Sequence, residues 1–458
     1  MNDRSTARPF EHAFAIVALF LFSGVVYAAF AVGSDIGTKS GETLLYKAVW
    51  ATICLTLWYL IALRYRSVLP IFARNFPVTL FMFSYIISEI INSGEFGDTI
   101  RLVLLLSTIA FSAWLASVFS LEQIYKLLVT TFFSAIVAHA LVVGLFGSIF
   151  EADAMERKNF LGLEIVLGLF GHKNQTGLLF GISFVLLYAI STTFRGTNNH
   201  NIIRIGAALS GLFLLLSGSA LAIVMVLASL SVLVWVSSLN SKNRVWLQVA
   251  TVITFCGAVA TAFDPDLLFG ALGRSSDLTG RTPLWDHWHE SFLDQPWFGY
   301  GYTGFFVENG PARLLAYRLG FAGPPSNFHN SYLDIGIQTG AFGLLLMVAI
   351  IWLALWRGTI IALNSRRMTD VFPLAMLVGL CVYACGESNI PTHNNFATVM
   401  FFTLYFKITS LYGSLENRRN RRRPFASPAP TLPPRNRATS LAAEGRVPGT
   451  SSDMPKVS

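Results

Sequence analysis

Charge is scarce in this sequence. Only 13% of its 458 residues are charged, while 53% are hydrophobic. A soluble domain carries about 25% charged residues, so an ordinary soluble fold is excluded. Cysteine is scarce too: Cys54, Cys256, Cys381 and Cys385 are the four present, and all lie inside apolar runs. They show neither zinc-ligand spacing nor a secreted disulfide framework. Cys381 and Cys385 fall on one helix face, where a free cysteine packs as a small hydrophobe. Nucleotide and protease signatures are missing as well. No G-x-S-x-G, Walker A, Rossmann glycine pattern or H-E-x-x-H occurs, which argues against a nucleotide-driven or proteolytic enzyme.

What is present is long apolar runs. Segments able to cross a bilayer by the 20-residue rule lie near 12–32, 45–63, 77–93, 102–120, 127–147, 177–194, 203–218, 220–238, 246–263, 332–355, 371–386 and 395–412. These predict an all-α polytopic membrane protein of about twelve transmembrane helices. The pair 203–238 is two spans only if "SGSA" at 217–220 is a tight turn. Arg4 and Arg8 precede the first span, whose apolar core is too long for a signal-peptide h-region, so it reads as a retained anchor.

Net charge is +8, and from Gly413 onward nine Lys/Arg oppose three acids, so the tail holds +6 of it. The tail contains "SPAPTLPP" and lacks apolar periodicity. It reads as disordered, with "NRRNRRR" suited to anionic headgroups rather than to nucleic acid. With the N-terminus inside, the even-numbered loops carry Arg64, Arg66 and Arg74, then Arg195 and Arg204, then Lys242 and Arg244, then Arg357, Arg366 and Arg367. That agrees with the positive-inside rule, and merging 203–238 into one span would invert every later loop. The expected organisation is a cytoplasmic N-terminus (1–11), spans one to nine (12–263), an external loop (264–330), spans ten to twelve (331–412) and a disordered basic cytoplasmic tail (413–458).

This topology puts the polar clusters on the outer side: "GHKNQTG" at 171–177, "SGS" at 217–219, the loop 264–330 and "GESNIPTHNN" at 386–395. A loop as long as 264–330 carries structure or function. Thr282 is a candidate N-cap and Pro283 suits the first helical position. Leu284, Trp285, Trp288 and Phe292 form one apolar stripe, and Pro296 ends the helix. Such a helix lies at the outer interface, either as a lid over a site or as packing alone. Outer-face cations depart from the charge rule: Arg157, Lys158, Lys173, Arg274, Arg281, Arg313 and Arg318. Lys173 and Arg281 stand beside glycines near helix starts, where backbone N–H groups also favour anions. For Arg313 and Arg318 a solvated loop charge is the plainer reading. His172 and His329 each stand close to an asparagine and are candidates for general-base work, against the commoner role of a structural hydrogen-bonder. His287, His289 and Glu290 do not share one helix face in metal-binding fashion, and the loop's aspartates lack calcium-loop spacing.

"GHKNQTG", "LLLSGS" (214–219), "GRTPLW…QPWFGYGYTGF" (280–305) and "FHNSYLDIGIQTGAFG" (328–343) resemble the O-antigen ligase and Wzy-type polymerase superfamily. The similarity covers roughly 165–400 and is greatest to ExoQ-like exopolysaccharide polymerases, in which H-K-N-x-x-G is typical. The resemblance implies a GT-C-like bundle with a large helical periplasmic loop between the ninth and tenth spans, in the bacterial inner membrane. It implies metal-independent, inverting glycosyl transfer on the periplasmic face, without cofactor, from undecaprenyl-diphosphate-linked oligosaccharide. Arg281 matches an arginine taken to hold the diphosphate, and His329 the histidine that deprotonates or orients the acceptor hydroxyl. Asn330 would help to orient that hydroxyl. His172, Lys173 and Asn174 fall in the H-K-N motif, with Lys173 and Asn174 the contacts to phosphate or sugar. Ser219 matches a serine normally followed by a cation, but Ala220 stands here; Arg313 and Arg318 are candidates to substitute. Implied partners are membrane lipid, a chain-length regulator and a flippase, and no nucleic acid.

Three readings stand at this point. One is a polymerase of exopolysaccharide repeat units; one is a ligase moving finished glycan to lipid A-core. The third is a transporter or flippase without chemistry, which would need polar sites at mid-membrane depth. Lys47, Glu89 and His139 are the main candidates for such sites.

Overall fold

The computed structural model describes residues 7–25, 44–92, 96–148, 162–193, 198–239, 244–263, 281–307, 309–321, 323–365 and 367–422. Among them helices are α1 (Pro9–Phe22), α2 (Leu44–Leu63), α3 (Tyr65–Arg74), α4 (Phe76–Asn92) and α5 (Phe96–Val118). There follow α6 (Leu121–Phe146), α7 (Lys173–Thr193), α8 (Asn198–Ser217), α9 (Ala220–Ser238) and α10 (Arg244–Phe263). The later helices are α11 (Arg281–Asp294), α12 (Pro311–Leu319), α13 (Ser331–Leu363), α14 (Met368–Tyr383) and α15 (Phe396–Arg422). No strand element occurs among the described residues.

Seven of these helices are long and apolar enough to cross a membrane: α2, α5, α6, α7, α8, α9 and α13. The count is eight if α3 and α4, bent by 90° at Asn75, form one broken span. Shorter apolar helices occupy three further expected positions, at Pro9–Phe22, Gln248–Gly257 and Met368–Tyr383. The all-helical membrane architecture expected from composition is therefore present. The "SGSA" turn also forms: α8 and α9 are separate helices, with Gly218 at φ 68° and Ser219 capping α9.

Three local expectations change. Residues 64–75 are an amphipathic helix across the bundle's end rather than a plain loop, because Arg66 and Arg74 on a short helix favour the headgroup layer. The segment 121–126 is the first turn of α6, stabilised by a capping box in which Ser120 and Gln123 each accept the other's backbone N–H. The tail is helical through Arg422, ten residues into the stretch 413–458 expected to be disordered; its remainder lies outside the described residues.

Packing concentrates around α7, α9 and α14, each buried along much of its length. α7 packs on α8, α9 on α14 and α10, and α13 on α4 and α14. At the other end of the bundle a bidentate pair, Arg64 to Glu11 at 2.7 Å, ties α1 to the α2–α3 junction. The segment 281–330 shares a small core with the start of α13. Leu284, Phe305, Ala312, Leu315, Phe328 and Ile337 bury together under Trp285, Trp288 and Phe292. It contains two helices where the pattern predicted one, because Pro311 and Gly320 bracket a second short helix.

α13 is not one continuous rod. Gly340 breaks it at φ 65°, ψ −166°. The ribbon Pro296–Gly301 docks into the break. Tyr300 N–H donates to Ile337 O at 2.8 Å, and Ala341 N–H donates to Pro296 O at 2.7 Å. α4 supplies the other wall, with Ser88 donating to Gln338 O at 2.7 Å and Asn92 to Gly299 O at 2.8 Å. The backbone groups freed by the break are thus satisfied inside the protein, as an apolar surrounding requires.

Candidate functional site

His329 precedes the first turn of α13 and holds φ 52°. For a residue with a side chain that conformation costs about 1 kcal/mol or more, so neighbours must enforce it. They do. Asn327 Oδ1 accepts from His329 N–H at 2.8 Å, and the buried Asp334 accepts from Phe328 N–H at 2.9 Å. Trp285 donates its indole N–H to Phe328 O at 2.7 Å, and Trp288 donates to Leu333 O at 2.8 Å. The helix expected from Pro283 up to Pro296, with Thr282 as its cap, is present as Arg281–Asp294, so that Thr282 lies within its first turn, and its tryptophans clamp the His329 turn. Asn330 caps α13: its Oδ1 accepts from Tyr332 and Leu333 N–H at 3.0 and 3.2 Å. Its carbonyl end is committed to the helix.

The turn after α14 faces this cap. Ser331 donates to Glu387 O at 2.7 Å and accepts from Asn389 and Ile390 N–H at 3.2 and 3.1 Å. That sewing brings the Glu387 carboxylate to His329. Glu387 Oε2 lies 3.7 Å from His329 Nδ1, with the carboxylate 12% and the imidazole 38% exposed. The distance is an ion-pair distance, longer than a hydrogen bond. The other oxygen, Oε1, accepts from Asn174 Nδ2 at 2.5 Å. Asn174 Oδ1 in turn accepts from Ser219 Oγ at 2.8 Å, and Tyr383 OH donates to Asn174 O at 3.0 Å. Both faces of the Asn174 amide are thereby fixed. The result is a line of four side chains from four separate segments: Ser219, Asn174, Glu387 and His329.

Close helix approach makes the line possible. A Cβ on Gly177 would stand 2.6 Å from Ser219 Cβ and 2.8 Å from Ala222 Cβ, so only glycine lets α7 and α9 meet here. Ser219 is fully buried and caps α9 by accepting from Ala222 N–H at 3.3 Å. Its hydroxyl is committed to Asn174 and to the cap. His172 is exposed and serves the start of α7: its Nδ1 accepts from Asn174 N–H at 3.2 Å. Lys173 is the first residue of α7 and half-buried.

The remaining cations are distributed differently. Arg281 opens α11, the helix whose tryptophans clamp the His329 turn; its side chain lies outside what the structure describes. Arg313 donates to Asn309 Oδ1 at 3.2 Å, and Arg318 pairs with Glu290 at 3.5 Å, both on the surface. No described contact joins either to His329. Arg157, Lys158 and Arg274 lie outside the described residues. Among the described residues no three His, Cys, Asp or Glu converge as metal ligands.

Behind the site, Tyr302 OH and His393 Nδ1 are 2.8 Å apart, and Tyr302 N–H donates to Glu89 Oε2 at 3.1 Å. Burial, and secondarily Arg101, pushes His393 down to about 4, so it is neutral at ordinary pH. Burial pushes the Tyr302 phenol up. Glu89, read from sequence as a mid-membrane candidate, instead seats the external ribbon. Glu387 is the residue that sequence reasoning missed. The only local signal was an acid opening the polar "GESN" after a span.

Residues 205–348 match the family model described as O-Antigen ligase. The exopolysaccharide production protein ExoQ of Rhizobium meliloti (strain 1021) is 29% identical over 204 residues, covering 40% of this chain and 45% of that protein. The match thus spans less than half the length of that relative. The family segment contains Ser219, Arg281, Arg313, Arg318, His329 and Asn330. Asn174 and Glu387 lie outside it.

Proposed function

We propose that this chain, which carries the O-antigen ligase family segment at residues 205–348, polymerises exopolysaccharide repeat units by glycosyl transfer from undecaprenyl diphosphate. The reaction takes place on the periplasmic face of the inner membrane, within a bundle of about twelve spans whose external loop, 264–330, joins the ninth and tenth. The observation that carries this reading is the half-exposed His329 with the largely covered Glu387 carboxylate 3.7 Å away. A carboxylate at ion-pair distance from one imidazole nitrogen favours the imidazolium that forms when the ring takes a proton at the other.

The acceptor hydroxyl loses its proton to His329 as its oxygen attacks the anomeric carbon. The bond from that carbon to the diphosphate oxygen breaks, and the electron pair leaves with undecaprenyl diphosphate. Attack opposite the leaving group inverts the anomeric centre. Glu387 stabilises the imidazolium as it forms. Arg281 and Lys173 stabilise charge growing on the diphosphate, the arginine by its two-pronged fork and the lysine as a point charge. Asn174 holds Glu387, and Ser219 holds Asn174, so both are positioning residues. His172 and Asn330 contribute by fixing the two helix starts. Arg313 and Arg318 line the approach as surface cations. The clamp of α11 excludes water so that transfer outruns hydrolysis. A flippase delivering the units and a chain-length regulator are the partners this chemistry calls for, alongside membrane lipid.

The description of the matched family favours a second reading, a ligase that transfers finished glycan to lipid A-core. Transport without chemistry has less support: the broken helix α13 has its freed backbone bonded to the 296–301 ribbon and not directed at a passage. The products of a deletion strain test the proposal. Single repeat units accumulating on the lipid carrier identify a polymerase. Long carrier-bound glycan missing from lipid A identifies the ligase. Unchanged glycans refute both.

A further inference from the structure

A cavity of about 210 Å³ opens beside the candidate site, between the ends of α1 and α2 and the loop 389–396. Its two walls differ in chemistry. One is aromatic: Phe22 and Trp50 stand 4.9 Å apart between ring centres, and Tyr46 lies 6.2 Å from Trp50. The other carries uncharged hydrogen-bonding groups, the amides of Gln175 and Asn394 and the His393 ring, with Asn395 donating to Asn389 Oδ1 at 2.8 Å. Among the described residues lining it, none is Asp, Glu, Lys or Arg.

Asn394 points to a ligand independently. It holds φ 54°, its backbone N–H donates to Thr108 Oγ1 at 3.1 Å, and its buried Nδ2 has no hydrogen-bond partner in the protein. An unpaired buried amide costs about 1–3 kcal/mol, so a native fold keeps one only for a reason. A phosphate or carboxylate finds no cation among the described lining residues, and a lipid tail would leave Asn394 Nδ2 unpaired. A pyranose ring meets both walls: its C–H face lies on the aromatics and its hydroxyls pair with the amides. The volume is below the roughly 300 Å³ at which sites for larger ligands begin, which fits one sugar residue rather than an oligosaccharide.

We infer that this cavity is a binding subsite for one neutral sugar residue of the glycan, set by α1 and α2. The inference rests on the glycosyl-transfer reading, since Gln175 follows Asn174 and Asn389 lies two positions after Glu387. Its aromatic wall, Phe22, Tyr46 and Trp50, lies outside the matched segment 205–348. The subsite therefore selects the sugar, while His329 with Glu387 and Asn174 carries out the transfer.

Saturation-transfer NMR on the full chain in phospholipid nanodiscs tests this. The probes are the methyl glycosides of glucose, galactose and N-acetylglucosamine, with methyl glucuronide as the charged control. At least one neutral glycoside should receive saturation, and more than the glucuronide does. Gln175→Ala and Asn394→Gly should each weaken that binding about fivefold, the worth of one neutral hydrogen bond; glycine at 394 retains the backbone angle. His329→Ala should leave it intact. Saturation of no neutral glycoside, or equal saturation in both variants, overturns the inference. Displacement of the sugar signal by added undecaprenyl phosphate would assign the cavity to a lipid chain and also overturn it. Glycan formation that depends on His329 without sugar binding refutes the subsite alone. Sugar binding with glycan formation indifferent to His329 refutes the catalytic reading and leaves the subsite standing.

Discussion

Replacing Glu387 by glutamine tests the site at its least anticipated member. The amide keeps the shape of the carboxylate and still accepts from Asn174, so only the charge facing His329 is lost. Glu387 Oε2 stands 3.7 Å from His329 Nδ1. At that distance, with an effective dielectric constant near 20, a full charge pair is worth about 4.5 kcal/mol. The imidazole is 38% exposed, and solvent screening removes about half of this, leaving about 2 kcal/mol. If the imidazolium forms only in the transition state, that energy appears in turnover, as a loss of about 30-fold in kcat. KM should hardly move, because the ground state carries no such charge pair. The assay is conversion of lipid-linked repeat unit to lipid-linked dimer by the purified chain in nanodiscs, resolved by mass spectrometry. Glu387→Ala should be worse and should also melt earlier, since it leaves the Asn174 amide unpaired at a cost of about 1–3 kcal/mol. A Glu387→Gln enzyme within threefold of wild-type turnover would refute the stabilisation of the imidazolium by Glu387.

Three further outcomes follow from the same geometry. Gly340→Ala should lower the melting temperature sharply and abolish transfer. Its Cβ would sit 2.2 Å from Trp297 C and 2.4 Å from Trp297 O at φ 65°, a clash worth more than about 3 kcal/mol, whereas Gly323→Ala, with open space around it, should melt as wild type. His393 titrates at about 4 in the fold against about 6.5 in an unfolded chain. Its contribution is therefore complete above pH 6.5 and shrinks as pH falls toward 4, by about 3 kcal/mol in all; melting curves across that window should show the loss, and His393→Gln should flatten it. Arg281→Lys should reduce transfer nearly as much as Arg281→Ala if the guanidinium fork is what holds the diphosphate; full polymer from the lysine variant would count against a bidentate role.

Helix positions were largely legible in the sequence because hydropathy and end signals act locally. The stripe Leu284, Trp285, Trp288 and Phe292 with Pro296 beyond it marked α11, and "SGSA" marked the α8–α9 break. Hydropathy could not show the break in α13. Gly340 sits in an apolar run on both sides, and what bends the chain there is the docking of Pro296–Gly301 from elsewhere. The site was legible by half. His329 and Asn174 stand in short polar motifs at span boundaries, which single them out. Glu387 has no periodic or motif relation to either; it reaches them only because Ser331 stitches the turn after α14 to the start of α13. Ser219 was visible as a motif residue but not as a buried cap. The two arginines of α12 were visible as charges, while their surface partners Asn309 and Glu290 were set by the packing of that short helix.

The interruption at Gly340 also has a mechanical meaning. A rigid helix crossing a bilayer transmits every tilt along its length, and changes in membrane thickness tilt helices. Here the break is fastened on both sides by one ribbon: Tyr300 and Gly301 donate to Ile337 O and Gln338 O above it, and Ala341 and Phe342 below it donate to Pro296 O and Trp297 O. The ribbon works as a splint. A tilt imposed on the lower helix by lipid composition would pass into the splint and α4 before it reached the turn that sets His329 beside Glu387.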